Sequence, residues 1–559
     1  MAPPSSSSGT KGRDDGVSWK HSISKLRQQQ NLIRTPDPSN PGYARQKENG
    51  KLWVRQRLDA LLDEGSWNEI GSITGKPVVD EETGELKEFI PGNILIGWGR
   101  LSGKRVFVTA DDFGVRGGHA DGGIAGKVAY GETQARKAGV PIVRLLDGSS
   151  GGGSVASYLT MGATYIPALA GLAQSMDALA TVPIASALLG PVVGLAAAKA
   201  VASHFSVMVR NLSQLFAAGP PVVKQATFED LSKEALGGWD IHARNGTVDN
   251  VCNSELEAFQ QIRDFLFFLP PNVYAIPSVQ PSNDPASRRE EELISIIPRR
   301  RARMYDIRSL IRLLVDVSSN PSSSHHSTGS SFFEIGETWG RTIVTGLARL
   351  TGRPVGILTS DCTVGGGAID ALGCQKTARF VNMCDHFNIP ILNLVDQPGF
   401  AIGSAAEKAA TIRHGASAMS ALYSARVPIF TVVIRRAFGV AGGAFAYPED
   451  DNNNRVAWPS GDWGSLPLEG GIEAAYKRKL NDAPTPAARE KIMKDLLAQF
   501  EEVRDPMRTA HKFWVEEIID PRDTRPMACD WIAHAYEQLL PQLAARKQAA
   551  VSFKPTYKL

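Results

Sequence analysis

The feature that most constrains this chain is a duplication. Residues 106–147, VFVTADDFGVRGGHADGGIAGKVAYGETQARKAGVPIVRLLD, align without a gap on 355–396, VGILTSDCTVGGGAIDALGCQKTARFVNMCDHFNIPILNLVD, at an offset of 355 − 106 = 249. Identities fall on structurally telling residues: Asp112/Asp361, Gly117/Gly366, Gly118/Gly367, Asp121/Asp370, Lys127/Lys376, Pro141/Pro390 and Asp147/Asp396. Each copy reads as a strand, a Gly-rich turn, a helix and a second strand entered through Val-Pro or Ile-Pro. The repeat resumes at Val182-Pro183-Ile184 and Val427-Pro428-Ile429, now at an offset of 245, so the first half is four residues longer in between. Two half-chains with the same βαβ order predict an α/β fold of two superposable units.

A length of 559 residues exceeds what one hydrophobic core serves. The expected division is an N-terminal arm, partly disordered, over 1–45, one unit over 46–300 and a second over 301–559, with a flexible surface loop at 318–331 (SSNPSSSHHSTGSS). Net charge is +3, which gives no reason to expect a nucleic-acid or membrane-surface protein. The uncharged run 178–198 is long enough to span a bilayer, but Pro183, Gly190, Pro191 and Gly194 interrupt it, and a buried strand, a turn and a small-residue helix are expected instead. Five scattered cysteines without a CxxC pair make neither a disulfide framework nor a zinc site. They fit a reducing compartment, the cytoplasm or a mitochondrial matrix.

The chemistry is expected where the repeated strands end. One runs into Gly190-Pro-Val-Val-Gly194-Leu195-Ala196; its counterpart runs into Gly439-Val440-Ala441-Gly442-Gly443. Small residues opening a helix leave backbone N–H groups available to a developing oxyanion, and let a substrate oxygen approach closely. A tight packing turn is the alternative for either motif alone; their equivalent placement in both halves favours the anion site. No nucleophile elbow, HExxH or phosphate-binding P-loop is present. Asp147 and Asp396 end paired strands and are read as turn-forming rather than catalytic. Lys127 and Lys376 are either phosphate contacts or helix-surface lysines, and His119, His242 and His414 are structural.

At this point the sequence resembles the carboxyltransferase (beta) subunits of biotin-dependent acyl-CoA carboxylases, over about 45–535. The stretches that carry the resemblance include GKLWVRQRLDALLDEGSWNEIG (50–71), GPPVVKQATFEDLSKEALGGWDIHARNGTVDNVCNSELEAF (219–259), ARFVNMCDHFNIPILNLVDQPGF (378–400) and EEIIDPRDTRP (516–526). The resemblance implies two tandem crotonase-like ββα-superhelix domains and a homo-oligomer, a hexamer, with the active site between the N-half of one subunit and the C-half of another. It implies that the turn at Gly194-Leu195 holds the thioester oxygen of an acyl-CoA. The turn at Gly439-Val440-Ala441 would hold the ureido oxygen of biotin. Carboxybiotin would then release carbon dioxide, its ureido nitrogen would take the α-proton, and the enolate would attack.

Further contacts to CoA or biotin are expected from Ser150, Gly151, Gly152, Gly117, Gly118, Gly366, Gly367, Phe400 and Gly443. No metal is implied. The chain departs from the family at Leu195, where a second Gly is usual, at Ser154, where an Arg is usual, and at Gly443, at the position that helps select acyl length. Neither an ATP-grasp region nor an Ala-Met-Lys-Met biotinylation site is present, so a biotin carboxylase and a biotin carboxyl carrier would be separate partners. Two alternatives stay open: a crotonase-type acyl-CoA decarboxylase or hydrolase with a disabled biotin site, and a non-catalytic scaffold subunit of a carboxylase.

Overall fold

The computed structural model describes residues 18–82, 86–119, 123–124, 126–149, 155, 157–166, 169, 171–300, 302–317, 329–447, 454–550 and 555–558. Among the described residues seventeen strands follow one another: β1 (Asn68–Ile70), β2 (Gly75–Val79), β3 (Leu86–Pro91), β4 (Ile94–Leu101), β5 (Lys104–Asp111), β6 (Ile142–Ser149), β7 (Ile184–Val193), β8 (Phe205–Val209), β9 (Gln214–Phe216) and β10 (Asn250–Cys252), then β11 (Phe333–Ile335), β12 (Ile343–Leu350), β13 (Arg353–Ser360), β14 (Ile391–Gln397), β15 (Ile429–Phe438), β16 (Asn454–Ala457) and β17 (Asp462–Gly464).

The first sheet has the order β1-β4-β5-β6-β7-β8-β10, with β9 beside β7; the second has β11-β12-β13-β14-β15-β16, with β17 beside β15. In each, an antiparallel hairpin (β4·β5, β12·β13) leads into parallel pairs (β5·β6 and β6·β7, β13·β14 and β14·β15). The duplication thus covers more than the aligned segment, reaching the short outer strands β1 and β11. Strands β14 and β15 are buried almost throughout, as expected of parallel strands with both faces covered.

Sheet register reproduces the repeat in detail. The β6·β7 pairing shifts between Leu146 and Gly148, and β14·β15 shifts between Val395 and Gln397. Asp147 and Asp396 sit at those two irregularities. The halves share one apolar core: Phe205 of β8 stacks on Phe265 with ring centroids 4.8 Å apart and meets Phe333 of β11 edge-on at 5.5 Å. Polar seams add to it, including Arg379 on Asp249 at 3.1 Å and Asn250 on the Glu334 carbonyl at 3.1 Å.

The apolar run 178–198 divides as expected. It covers the end of the Leu172–Leu179 helix, β7 and the start of the Leu195–Val201 helix. Among the described residues no helix is long and apolar enough to cross a membrane. In the N-terminal arm, helices form at Lys20–Arg34 and Pro41–Glu48. The expected surface loop at 318–331 is too long at its C-terminal end. Ser330 is buried and bridges Val317, and the Ser331 amide donates to the Asp316 carbonyl. Residues 318–328 lie outside the described residues.

Candidate active site

Strand β7 ends at Val193. Gly194 follows with φ +65° and ψ −125°, and the helix Leu195–Val201 begins. Strand β15 ends at Phe438, Gly439 follows with φ +62°, and its helix runs Gly439–Ala446. Positive φ at both positions is what makes glycine necessary there. The two turns occupy equivalent places (439 − 194 = 245), each on its own sheet.

Their amides differ. The Gly194 N–H donates to the Phe216 carbonyl of β9 at 3.2 Å. Gly194 therefore shapes the first turn, with its own amide engaged by β9. Leu195 and Ala196 follow it in the first turn of the helix. In the second turn Val440 and Ala441 hold the same positions, and neither amide bonds outside its own helix among the described residues. The Val440 side chain is 67% exposed and Ala441 is buried, so this turn lies at the surface with its second residue locked into the core. Beyond it, a Cβ on Gly443 would meet nothing within 4 Å.

The Gly-Gly pairs 117–118 and 366–367 have left-handed backbones in both copies. They pack on the bulged strand ends. A Cβ on Gly118 would stand 2.6 Å from Cα of Gly148, and the Gly366 carbonyl accepts from Arg436 at 2.8 Å. Half-buried Phe400 bridges Ile369, and its ring fills the space that a Cβ on Gly415 would need. Ser150, Gly151, Gly152 and Ser154 lie outside the described residues.

Asp147 and Asp396 are not simple turn formers, a second correction. Both are fully buried and ion-paired. Asp147 accepts from Lys51 and Arg57, each at 2.8 Å, and Asp396 from Arg435 at 2.7 Å and Arg436 at 2.6 Å, with Tyr305 Oη at 3.0 Å. Burial pushes the Asp396 carboxyl up, but hydrogen bonds from Arg436 and Arg435 outweigh it and hold the group below its ordinary range. Lys376 also departs from expectation. It is buried and donates to the carbonyls of Gly336 (2.7 Å), Trp339 (3.3 Å) and Ile343 (2.7 Å), so it is neither a phosphate contact nor a surface lysine. Its counterpart Lys127 reaches the carbonyl of Gly71 and the hydroxyl of Thr74. Each lysine ties its helix to the turn after the outermost strand. His242 bonds the Leu215 carbonyl, and His414 lies against Gln375.

Two residues that the motifs did not single out connect the strands to the turns. Arg144 of β6 donates to the carbonyls of Lys199 and Ala202, and Asn393 of β14 donates to the carbonyl of Phe445. The offset of 249 could have paired them, but Arg and Asn do not register as an identity.

Two duplicated sheets, each delivering a glycine turn and a short helix from equivalent strands, define the tandem crotonase-like carboxyltransferase class of enzymes. Residues 45–550 match the model of the carboxyl transferase domain, and the chain belongs to that family. It is 32% identical over 490 residues to the propionyl-CoA carboxylase carboxyltransferase subunit of Haloferax mediterranei, covering 86% of this chain and 90% of that protein. Its identity to the methylmalonyl-CoA decarboxylase subunit alpha of Veillonella parvula is 31% over 496 residues, covering 88% and 91%. Among solved structures it is similar to the hexameric transcarboxylase 12S with methylmalonyl-coenzyme A and methylmalonic acid bound, with a TM-score of 0.79 and 27% identity over 93% of this chain and 97% of that one.

Proposed function

We propose that this chain transfers a carboxyl group between biotin, carried on a separate protein, and the α or γ carbon of an acyl-CoA, through an enolate. The observation that carries the reading is the equivalent placement of two glycine-opened helices at the ends of β7 and β15. Carboxyl transfer to an enolate creates two negative oxygens, one on the thioester and one on the ureido ring. Oriented backbone dipoles at each turn can stabilise one of them, and dipoles of this kind contribute most where water is excluded.

On this reading the unit over 46–300 binds the acyl-CoA, with Leu195 and Ala196 at the thioester oxygen. The unit over 301–559 receives biotin, with Val440 and Ala441 at the ureido oxygen. The open space above Gly443 and the exposed second turn fit a planar ring arriving from outside. Bound biotin supplies the transferable carboxyl group and a nitrogen that accepts the α-proton; the chain supplies orientation and the two anion cradles. Gly117, Gly118, Gly366 and Gly367 shape the cleft through packing, and Phe400 is placed as a wall. A metal has no part in this chemistry.

The biotin carboxylase and carrier are separate subunits, and the working assembly is a hexamer in which each site combines the N-half of one copy with the C-half of another. Five free, buried cysteines suit a reducing compartment such as the cytoplasm or a mitochondrial matrix. A decarboxylase or hydrolase lacking the biotin site is less well supported, because the Val440-Ala441 turn keeps its donors. A scaffold without turnover is less well supported for the same reason.

The test uses the purified chain, a biotinylated carrier and a series of carboxyl-labelled 2-carboxyacyl-CoAs. Label is expected on the carrier. Loss of labelled carbon dioxide with none on the carrier would instead indicate a decarboxylase.

A further inference from the structure

We infer that Arg144 and Asn393 are positioning residues, each gripping from the core the far end of the helix whose near end is an oxyanion turn. The inference rests on the proposed reading of those turns. Arg144 and Asn393 stand at the same place in the repeat (393 − 144 = 249), in mid-strand on β6 and β14. Their neighbours across the sheet, Ser186 and Thr431, are likewise equivalent. Arg144 Nη1 donates to the carbonyls of Lys199 at 2.8 Å and Ala202 at 2.9 Å, at the end of the Leu195–Val201 helix. Asn393 Nδ2 donates to the carbonyl of Phe445 at 2.7 Å, in the last turn of the Gly439–Ala446 helix.

Both helices are short, seven and eight residues. A helix of two turns has almost no stability of its own, and its last carbonyls have no partner within the helix. Its direction is therefore set by whatever holds its ends. At the near end stands a glycine in a left-handed conformation, which resists bending least of all residues. At the far end stands a donor fixed in a buried strand. Arg144 is 1% exposed and Asn393 is 0% exposed, so neither side chain is open to a ligand, and each acts only through its helix. Small displacements of reacting groups cost rate steeply, so a pinned helix is worth having.

The two grips are built from different chemistry. Arg144 is neutralised by Glu132 at 2.9 Å, which also takes a hydrogen bond from Ser175. The residue equivalent to Glu132 in the second half is Val381 (132 + 249 = 381), beside a neutral Asn393. Cation and carboxylate are present together in one half and absent together in the other. What both halves share is a buried N–H aimed at the last turn of the helix.

The test uses the full-length chain with methylmalonyl-CoA and free biotin. Two rates are read: biotin-dependent carboxyl transfer, and biotin-independent release of carbon dioxide, which on the proposed reading needs only the acyl-CoA turn. Asn393→Leu, which removes the donor at similar volume, is expected to lower the ratio of transfer to release by about 10–10²-fold. Arg144→Met is expected to lower both rates by about 10–10²-fold per mole of folded protein, with the ratio near that of the wild type, and unchanged rates per folded molecule overturn its half of the inference. A purely structural role would scale both rates with the folded fraction, so an unchanged ratio in Asn393→Leu overturns the inference. Asn393→Ser, too short to reach Phe445, serves if the Leu variant does not fold. Ala441→Pro is the reference. If it lowers the ratio and Asn393→Leu does not, the grip is wrong and the turn reading stands; if neither lowers it, the turn reading itself fails.

Discussion

A Cβ placed on Gly190 would stand 1.9 Å from Oδ1 of Asp147 and 2.3 Å from Nζ of Lys51. The position equivalent to Gly190 in the second half is Arg435 (190 + 245 = 435), and Arg435 itself neutralises the equivalent carboxylate of Asp396. One half leaves a gap in the strand and fills it with a lysine from a distant segment; the other carries the cation in the strand. Gly190→Ala is expected to force apart a buried ion pair and destabilise the fold by about 3–5 kcal/mol, read by denaturant unfolding. Gly443→Ala, where a Cβ meets nothing, is expected to be neutral or slightly stabilising.

Asp396 gives stability a defined acid limb. Its carboxyl is held below the ordinary 3.8, so the folded state binds the proton less readily than the unfolded chain. The contribution is complete above the ordinary value and is lost as pH falls through the depressed one. Wild type is expected to exceed Asp396→Asn in unfolding free energy at pH 7, and that gap is expected to shrink below about pH 4. A constant gap down to pH 3 would contradict the assignment.

Lys376 works in the opposite direction. Burial pushes its ammonium down to about 8 from 10.5, with nearby Glu334 opposing the shift. Between those values the unfolded chain holds more protons than the folded one, so this group makes stability rise with pH. The wild type is expected to gain about 3 kcal/mol more across that window than Lys376→Met, in which Lys104 and Lys547, also pushed down to about 8, still contribute. Urea melts of both proteins at pH 8 and pH 10.5 check this.

Gly443 lies where a side chain would enter open space over the second turn. Gly443→Ile is expected to lower kcat/KM for long acyl-CoAs more than for short ones, by about 10-fold or more in the ratio, with little effect on folding. A chain-length series under single-turnover conditions reads it out.

The duplication was legible because strand ends and turns need particular residues. Gly117/Gly366 and Gly118/Gly367 need left-handed backbones, and Pro141/Pro390 marks the entry to a buried strand. The apolar run 178–198 was readable through its Pro and Gly breakers. Roles set by burial were not legible. Asp147 and Lys376 have the residue types of turns and surfaces, and only the packing around them makes an ion pair and a carbonyl clamp. The grips stayed hidden because Arg144 and Asn393 do one job with different side chains. The Gly194 amide, paired to Phe216, depended on a short strand, β9, that carries no pattern of its own.

The most direct measurement is the turnover of Val440→Pro. Val440 is exposed, stands in the first helical turn and follows a glycine, so proline removes one N–H there at little cost to the fold. Carboxyl transfer to biotin from the 2-carboxyacyl-CoA that the wild type uses is expected to fall by about 10²–10³-fold in kcat with the melting temperature unchanged. Wild-type turnover from a folded Val440→Pro protein would show that no oxyanion is held at that amide.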